Sequence, residues 1–492
     1  MHKTRLFCTT IVLTFLSIIC YAQPRLTVVV VVDGMTQECL KTLQPHLPAG
    51  GLKLLYEESY QTIATFPHQV YGGQETMATL MTGTTPNNHG IMADTYYDRT
   101  SREAQIQTIL YDSRATGIGA NINISPNSII STTITDEWRM MHGANAKIYA
   151  IGLNPQATVL MAGHAANACC WLDQQSQKWV STSFYSEGLP AAADNMNVNG
   201  RIKAVITGNW QPSMSIDQYP LPAGENSKTD FKYVTADVLL HSPAANTLVT
   251  ELALNIQQYY KLGKDDAHDL LLLQLNTLSP ETESDMITNI QQTDLYYGIN
   301  KDLGILIEQL NQRIGRDNYQ ILMVGRPVKG HSLEKMRLAN MPIKHFNLDR
   351  AAALTGAYLM AIHGTERWIE GAHGPFIYLN RMLIEKKGLS LETFQRQVAN
   401  FLMEFEGVQV AYPIHEAMIS PDRVSVYRKH SGDVYFRLLE NWLLDTNEQE
   451  NFDYVIQARP IVPVLLWSTH STYFPTDKMD ATQIKSLISP MQ

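Results

Sequence analysis

Between Leu26 and Val32 the chain runs Leu-Thr-Val-Val-Val-Val-Val before it reaches Asp33. A continuous β-branched run without polar alternation predicts a strand covered on both faces, as in a parallel sheet. Asp33-Gly34 ends the run. In open parallel sheets ligands bind beyond the carboxyl ends of the strands, so Asp33 stands where a functional residue would stand. Leu270 to Leu275 predicts a second strand. After it, Leu295, Ile299, Leu303, Leu306, Leu310 and Ile314 form one apolar stripe at helical period, with Gly315 as a stop. Tyr319 to Val324 predicts the next strand, which makes a strand–helix–strand unit with a right-handed parallel crossover. Ile461-Val-Pro-Val-Leu-Leu-Trp467 reads as a further core strand. Leu391, Phe394, Val398, Phe401, Leu402 and Phe405 share one helix face that opens at Ser390, a candidate N-cap.

Between these elements the character changes. Residues 95–245 are rich in Asn, Ser, Gly and Pro, with short strand-like pieces such as Trp179 to Phe184, and predict an inserted cap. Residues 330–450 carry helical patterns and predict a second insertion. Both interrupt an α/β core spanning 23–490. With 45% hydrophobic and 17% charged residues in 492, the chain holds enough apolar residues for a large core. Residues 1–22 stand apart: His2, Lys3 and Arg5 precede an apolar stretch from Leu6 to Cys20, and Tyr21-Ala22 offers a cleavage site before Gln23. This predicts a signal peptide and an exported, periplasmic protein. A lipidated Cys20 and a retained anchor are the alternatives, although Ile19 is larger than the residue a lipoprotein signal usually has there. No later stretch is long and apolar enough to span a membrane. Losing Lys3 and Arg5 takes the formal charge from −9 to −11, which argues against nucleic acid and anionic membrane surfaces as partners. Three cysteines remain, Cys39, Cys169 and Cys170. Buried thiols are expected, with Cys39 joined to one of the adjacent pair as the alternative.

One stretch carries a resemblance. Thr82-Gly-Thr-Thr-Pro-Asn-Asn-His-Gly-Ile91 resembles the T-G-x-x-P-x-x-H-G-I signature of the alkaline phosphatase superfamily, in the branch with a threonine nucleophile and the related nucleotide pyrophosphatase/phosphodiesterases. Val-Val-Asp33-Gly-Met, Gly51-Leu-Lys-Leu-Leu, Met161-Ala-Gly-His164 with Trp171, Tyr378-Leu-Asn-Arg, Ser431-Gly-Asp433 and the strand at Val462-Pro463 fall in family order. The resemblance implies a three-layer α/β sandwich: a mostly parallel central sheet with helices on both faces and inserted caps.

It also implies a chemistry. Two zinc ions about 4 Å apart activate the nucleophile and stabilise the leaving oxygen, and polar donors hold the phosphoryl oxygens. At the matching positions those groups are replaced. The nucleophile position, ten residues before Gly83, is Gly73. The phosphate-gripping amide is Asp94, which would repel a phosphate. The Lys-x-Arg pair is Asn154 and Gln156. The first zinc pair is Leu278 and Thr282, the second is Gly325 and Arg326, and the final histidine is Ile461. Only Asp33 of the metal ligands is retained, and one carboxylate does not hold zinc.

The resulting expectation is an exported pseudoenzyme without a metal cofactor. It would serve as a periplasmic binding or scaffold protein for an unknown envelope protein or a small ligand, with Asp33, Asp94 and Arg326 as pocket candidates. The alternative is a metal-dependent phosphatase or phosphodiesterase with a rebuilt site that uses Thr76 or Thr79. Asp33 has a plainer reading, capping the next helix or satisfying backbone donors. Arg326 has two: exposed to solvent, or filling the metal space and pairing with Asp33 or Asp94. His89 reads as a turn histidine, and His331, His345, His363 and His373 as structural or surface residues. Asp265-Asp-Ala-His-Asp269 reads as a surface strand cap, or as a weak cation site.

Overall fold

The computed structural model describes residues 23–70, 73–101, 106–206, 208–215, 218–220, 234–278, 290–327, 340–420, 424–439, 441–445, 461–470 and 478–488. Its centre is a ten-stranded sheet. In chain order the strands are β1 (Leu26–Asp33), β2 (Tyr60–Thr65), β3 (Gly117–Ile118), β4 (Ile148–Gly152), β5 (Ala168–Asp173), β6 (Lys178–Thr182), β7 (Asp269–Asn276), β8 (Tyr319–Arg326), β9 (Ile461–Trp467) and β10 (Met479–Asp480). Across the sheet they run β10-β2-β9-β8-β1-β7-β4-β5-β6-β3. The middle block β8-β1-β7-β4-β5 is parallel throughout, and antiparallel strands flank it on both sides.

The alternation along β1 shows why its apolar run is continuous. Val28, Val30 and Val32 pack into one hydrophobic cluster, and Val29 and Val31 into another on the opposite face. Helices α3 (Pro243–Tyr260) and α4 (Ile290–Ile314) cover the first face. Helices α1 (Gln74–Thr82) and α2 (Pro155–Ala162) cover the second. The expected sandwich is therefore present, and the strands at Leu26, Leu270, Tyr319 and Ile461 and the long helix over 295–314 lie where the periodicity puts them.

The region 95–245 differs from the expectation of a single inserted cap. β3, β4, β5 and β6 fall inside it and belong to the central sheet, as does α2 to one helical layer. Ala168-Cys-Cys-Trp-Leu-Asp173 is too short and mixed to stand out from its polar surroundings. Described residues within 340–445 form a satellite. Strands Ile369–His373, Phe376–Leu379, Val434–Leu438 and Val408–Pro413 make a separate antiparallel sheet. Its own core includes Trp368, Phe394, Val398 and Phe436. The helix Leu391–Leu402 is N-capped by Ser390, which accepts from the Thr393 amide. All three cysteines are buried thiols, so the Cys39 disulfide alternative does not hold. Burial pushes the Cys170 thiol up to about 12. Among the described residues no helix is long and apolar enough to cross a membrane, and residues 1–22 lie outside them.

Candidate functional site

Asp33 and Arg326 are the last residues of adjacent parallel strands and face each other in register. Both charges are buried, Arg326 with 0% of its surface exposed. The guanidinium grips the carboxylate with two donors: Nε–H reaches Oδ1 at 2.6 Å, and an Nη2–H reaches Oδ2. A third donor, on Nη1, goes to the Gly73 carbonyl at 2.6 Å. A planar fork against a planar carboxylate is the geometry in which a buried pair recovers most of its desolvation cost. Gln274 completes the arrangement. Its Nε2–H donates to Asp33 Oδ2 at 2.6 Å, while its Oε1 accepts from the Leu153 and Asn154 amides, each at 3.0 Å.

Two plainer expectations are corrected here. Asp33 caps no helix, because Thr36 does so for Gln37–Leu43 by accepting from the Cys39 amide. Arg326 is not at the surface. Of its two expected partners it bonds Asp33, while Asp94 only feels its charge.

The elements around this pair explain the other replaced positions. Gly73 precedes α1 with φ +106, a left-handed conformation that glycine takes freely and a β-branched threonine does not. Asp94 accepts from the Gln74 amide at 3.2 Å, so a side-chain carboxylate sits at the positive end of α1. Asp94 is partly exposed as a residue, yet burial around its carboxyl group raises its pKa, opposed by the Gln74 amide and the charge of Arg326. Asn154 is spent on structure: it N-caps α2 through the Ala157 amide at 2.9 Å and accepts from Gln74 Nε2 at 3.3 Å. Gln156 lies in the first turn of α2. Its Oε1, like that of Gln74, is buried with no hydrogen-bond partner among the described residues.

Leu278 packs its side chain over Gly34, beside Asp33. At Gly325 a Cβ would fall inside the Met35 carbonyl oxygen and press on Pro463, so no larger residue fits there without moving the β1 turn. Ile461 opens β9, paired with Thr65 and 41% exposed. Thr282 and His331 lie outside the described residues.

These residues do not fit a zinc centre. Among the described residues the family's metal-ligand positions offer one carboxylate, Asp33, and its oxygens already accept from a guanidinium and an amide, whereas zinc needs three or four N, O or S ligands. Nor do the spare hydroxyls reach the surface. Thr76 is buried and donates to the Gly73 and Pro327 carbonyls. Thr79 is buried between His68 and His89. The remaining histidines have structural partners: His345 with Asp445, His363 with Gln397 and His373 with Thr95. In the acidic stretch Asp269 accepts from the Lys147 and Gly263 amides and Asp265 pairs with Lys147, which agrees with the strand-cap reading. Gln274 escaped the sequence reading. The available signal was one polar residue inside the apolar run from Leu270 to Leu275.

Known proteins agree with this fold. Residues 27–453 match the family described as type I phosphodiesterase / nucleotide pyrophosphatase. The chain is 22% identical over 402 residues to alkaline phosphatase PafA of Elizabethkingia meningoseptica, covering 75% of this chain and 71% of that protein. It is 24% identical over 326 residues to alkaline phosphatase PhoV of Synechococcus elongatus, covering 61% and 58%. The crystal structure of wild-type PafA superposes with a TM-score of 0.81 at 21% identity, over 96% of each chain. Phosphonoacetate hydrolase from Sinorhizobium meliloti 1021 does so at 0.52 and 13%, over 94% of this chain and 95% of that one. Similarity at these identities carries the fold, and the family match covers most of the sequence: the chain belongs to the type I phosphodiesterase / nucleotide pyrophosphatase family, within the alkaline phosphatase superfamily.

Proposed function

We propose that this chain is a non-hydrolytic member of its family, an exported binding or scaffold protein in which a guanidinium stands where the metal centre would be. The observation that carries this reading is the Arg326 fork. A fixed positive charge at a former ligand position neutralises Asp33 from inside the fold, and its third donor engages the carbonyl of Gly73, at the nucleophile position. Phosphoryl transfer by a two-metal site requires a nucleophile, metal charge on the attacking and leaving oxygens, and donors to the remaining oxygens. Gly73 has no hydroxyl, Arg326 supplies charge without an open coordination position, and Asp94 accepts where a donor is needed. The natural ligand or envelope partner would then be one that needs no phosphate recognition. Export rests on the signal-like residues 1–22.

A second reading has its own support. The relatives are named as phosphatases and the family as phosphodiesterases, which favours a phosphoric ester hydrolase with a rebuilt site. Thr76 or Thr79 would have to leave its buried hydrogen bonds to attack phosphorus. The two readings separate in an assay with p-nitrophenyl phosphate and bis(p-nitrophenyl) phosphate in the presence of added zinc. The first predicts release no faster than the buffer blank. Turnover that disappears in Thr76→Ala or Thr79→Ala would establish the second.

A further inference from the structure

Behind the site, on the inner side of α1, two buried imidazoles share one buried hydroxyl. His68 lies just after β2, Thr79 in the middle of α1, and His89 at the end of the one-turn helix Pro86–His89. Their exposures are 3%, 0% and 0%. The hydrogen bonds fix where each proton sits. The Ile91 amide donates to His89 Nδ1 at 3.2 Å, so that nitrogen carries a lone pair and Nε2 carries the hydrogen. His89 Nε2–H then donates to Thr79 Oγ1 at 3.1 Å. At the other end the Gln69 carbonyl, which can only accept, lies 2.9 Å from His68 Nδ1, so Nδ1–H is the donor there. The lone pair on His68 Nε2 is left to accept the Thr79 hydroxyl at 2.7 Å. The chain runs in one direction, from the Ile91 amide to the Gln69 carbonyl, and each ring nitrogen is used once.

No further proton fits in this arrangement. A hydrogen added at His89 Nδ1 would point head-on at the Ile91 N–H. One added at His68 Nε2 would meet the Thr79 O–H and turn it away. Burial accordingly lowers both imidazoles, His68 to about 4 against the opposing Gln69 carbonyl, and the His68 ring further disfavours charge on His89. Asp480, at the cap of the turn Ala481–Gln483, pulls His68 in the opposite direction. Around α1 the other ionisable groups are elsewhere. Lys485 donates to the Thr82 carbonyl at the C-terminal end and pairs with Glu137, while Glu75, Asp94 and Arg326 sit at the N-terminal end. α2, which lies alongside, has no ionisable side chain.

We infer that the His68–Thr79–His89 chain is an acid-sensitive latch that holds α1, and with it the Arg326–Gly73 contact, and that acid releases this helix and opens the buried site. The direction follows from linkage. Both imidazoles titrate lower in the latched state than in an open chain, so the open state binds more protons below pH ~6.5 and latching weakens as pH falls toward the folded values.

The test uses the whole wild-type protein. Selective 15N-histidine NMR at pH 7 should show His68 as the Nδ1–H tautomer and His89 as the Nε2–H tautomer, both neutral. Hydrogen exchange, corrected for its intrinsic pH dependence, should show α1 amides losing protection relative to β1 by about tenfold per pH unit below pH ~6.5 for each imidazole that protonates. Replacing both rings, with His68→Gln and His89→Gln together, should flatten that response, and Thr79→Ser should preserve it. A charged ring at pH 7, reversed tautomers, α1 protection that stays level down to pH 4, or an unchanged acid response in the double variant would each overturn the latch. The wild-type tautomers and exchange decide the matter even where the double variant does not fold.

Discussion

At the scale of single residues, the proposed site turns on the buried pair of Arg326 with Asp33. Removing one partner of a buried bidentate pair leaves the other charged and unpaired, which costs about 3–5 kcal/mol, whereas removing both is close to neutral. Arg326→Met is therefore expected to lower stability by an amount in that range, and adding Asp33→Asn is expected to recover most of it. Urea unfolding of the two variants and the wild type checks this; if Arg326→Met unfolds with the wild type, the pair does not hold the site. Gly325→Ala should also destabilise, since its methyl group has no space beside the Met35 carbonyl. The pairing of Arg326 with Asp33 was foreshadowed by the family resemblance, which puts both at metal-ligand positions, with Asp94 as another partner and exposure to solvent as the plainer reading. The roles of Gln274, Gln74 and His68 were not, because each depends on contacts that local periodicity does not reveal, such as the one Gln274 makes with Asp33 across 241 residues.

At the scale of elements, α3 and α4 bury between them an acid with no cationic partner in hydrogen-bond range among the described residues. Asp302 accepts from Thr247 Oγ1 at 3.0 Å and is 2% exposed. Burial pushes its pKa up to about 7, with Thr247 and Lys301 opposing and Glu251 reinforcing. The folded value lies above the unfolded one, so the unfolded chain releases its proton first and stability falls as pH rises from about 4 to 7. Asp302→Asn keeps a hydrogen-bonding amide and removes the charge. It is expected to raise the thermal midpoint at pH 8 and to leave it unchanged at pH 4, relative to wild type at each pH; a gain of equal size at both would show that charge is not the cause. Elements with a strong period, β1, β7, α4 and β8, were readable from the sequence. β4, β5 and β6 were not: at five, six and five residues they are short, and their place in the central sheet comes from pairing with β7 and with one another.

At the scale of the whole molecule, the family scaffold is present, and the satellite lobe is tied to the central body by charge. Asp433, fully buried, accepts from Arg99 near the strand Thr95–Tyr97, from Arg381 Nε at 2.7 Å and from the Leu379 amide at 2.7 Å. Asp433→Ala is expected to expose the satellite to limited proteolysis while the central sheet stays protected; an unchanged digestion pattern would show that apolar contacts alone hold the lobe. The mostly parallel sheet was foreshadowed by the family resemblance and the second insertion by the helical patterns of 330–450; the order of strands was not legible, since topology leaves little trace in local periodicity. The central claim is that Arg326 has taken over the charge of the metal centre, and zinc content addresses it most directly. The purified protein, dialysed with and without added zinc, is measured by elemental mass spectrometry. The account predicts no zinc above background under either condition; about two zinc ions per chain, as a two-metal site requires, would contradict it.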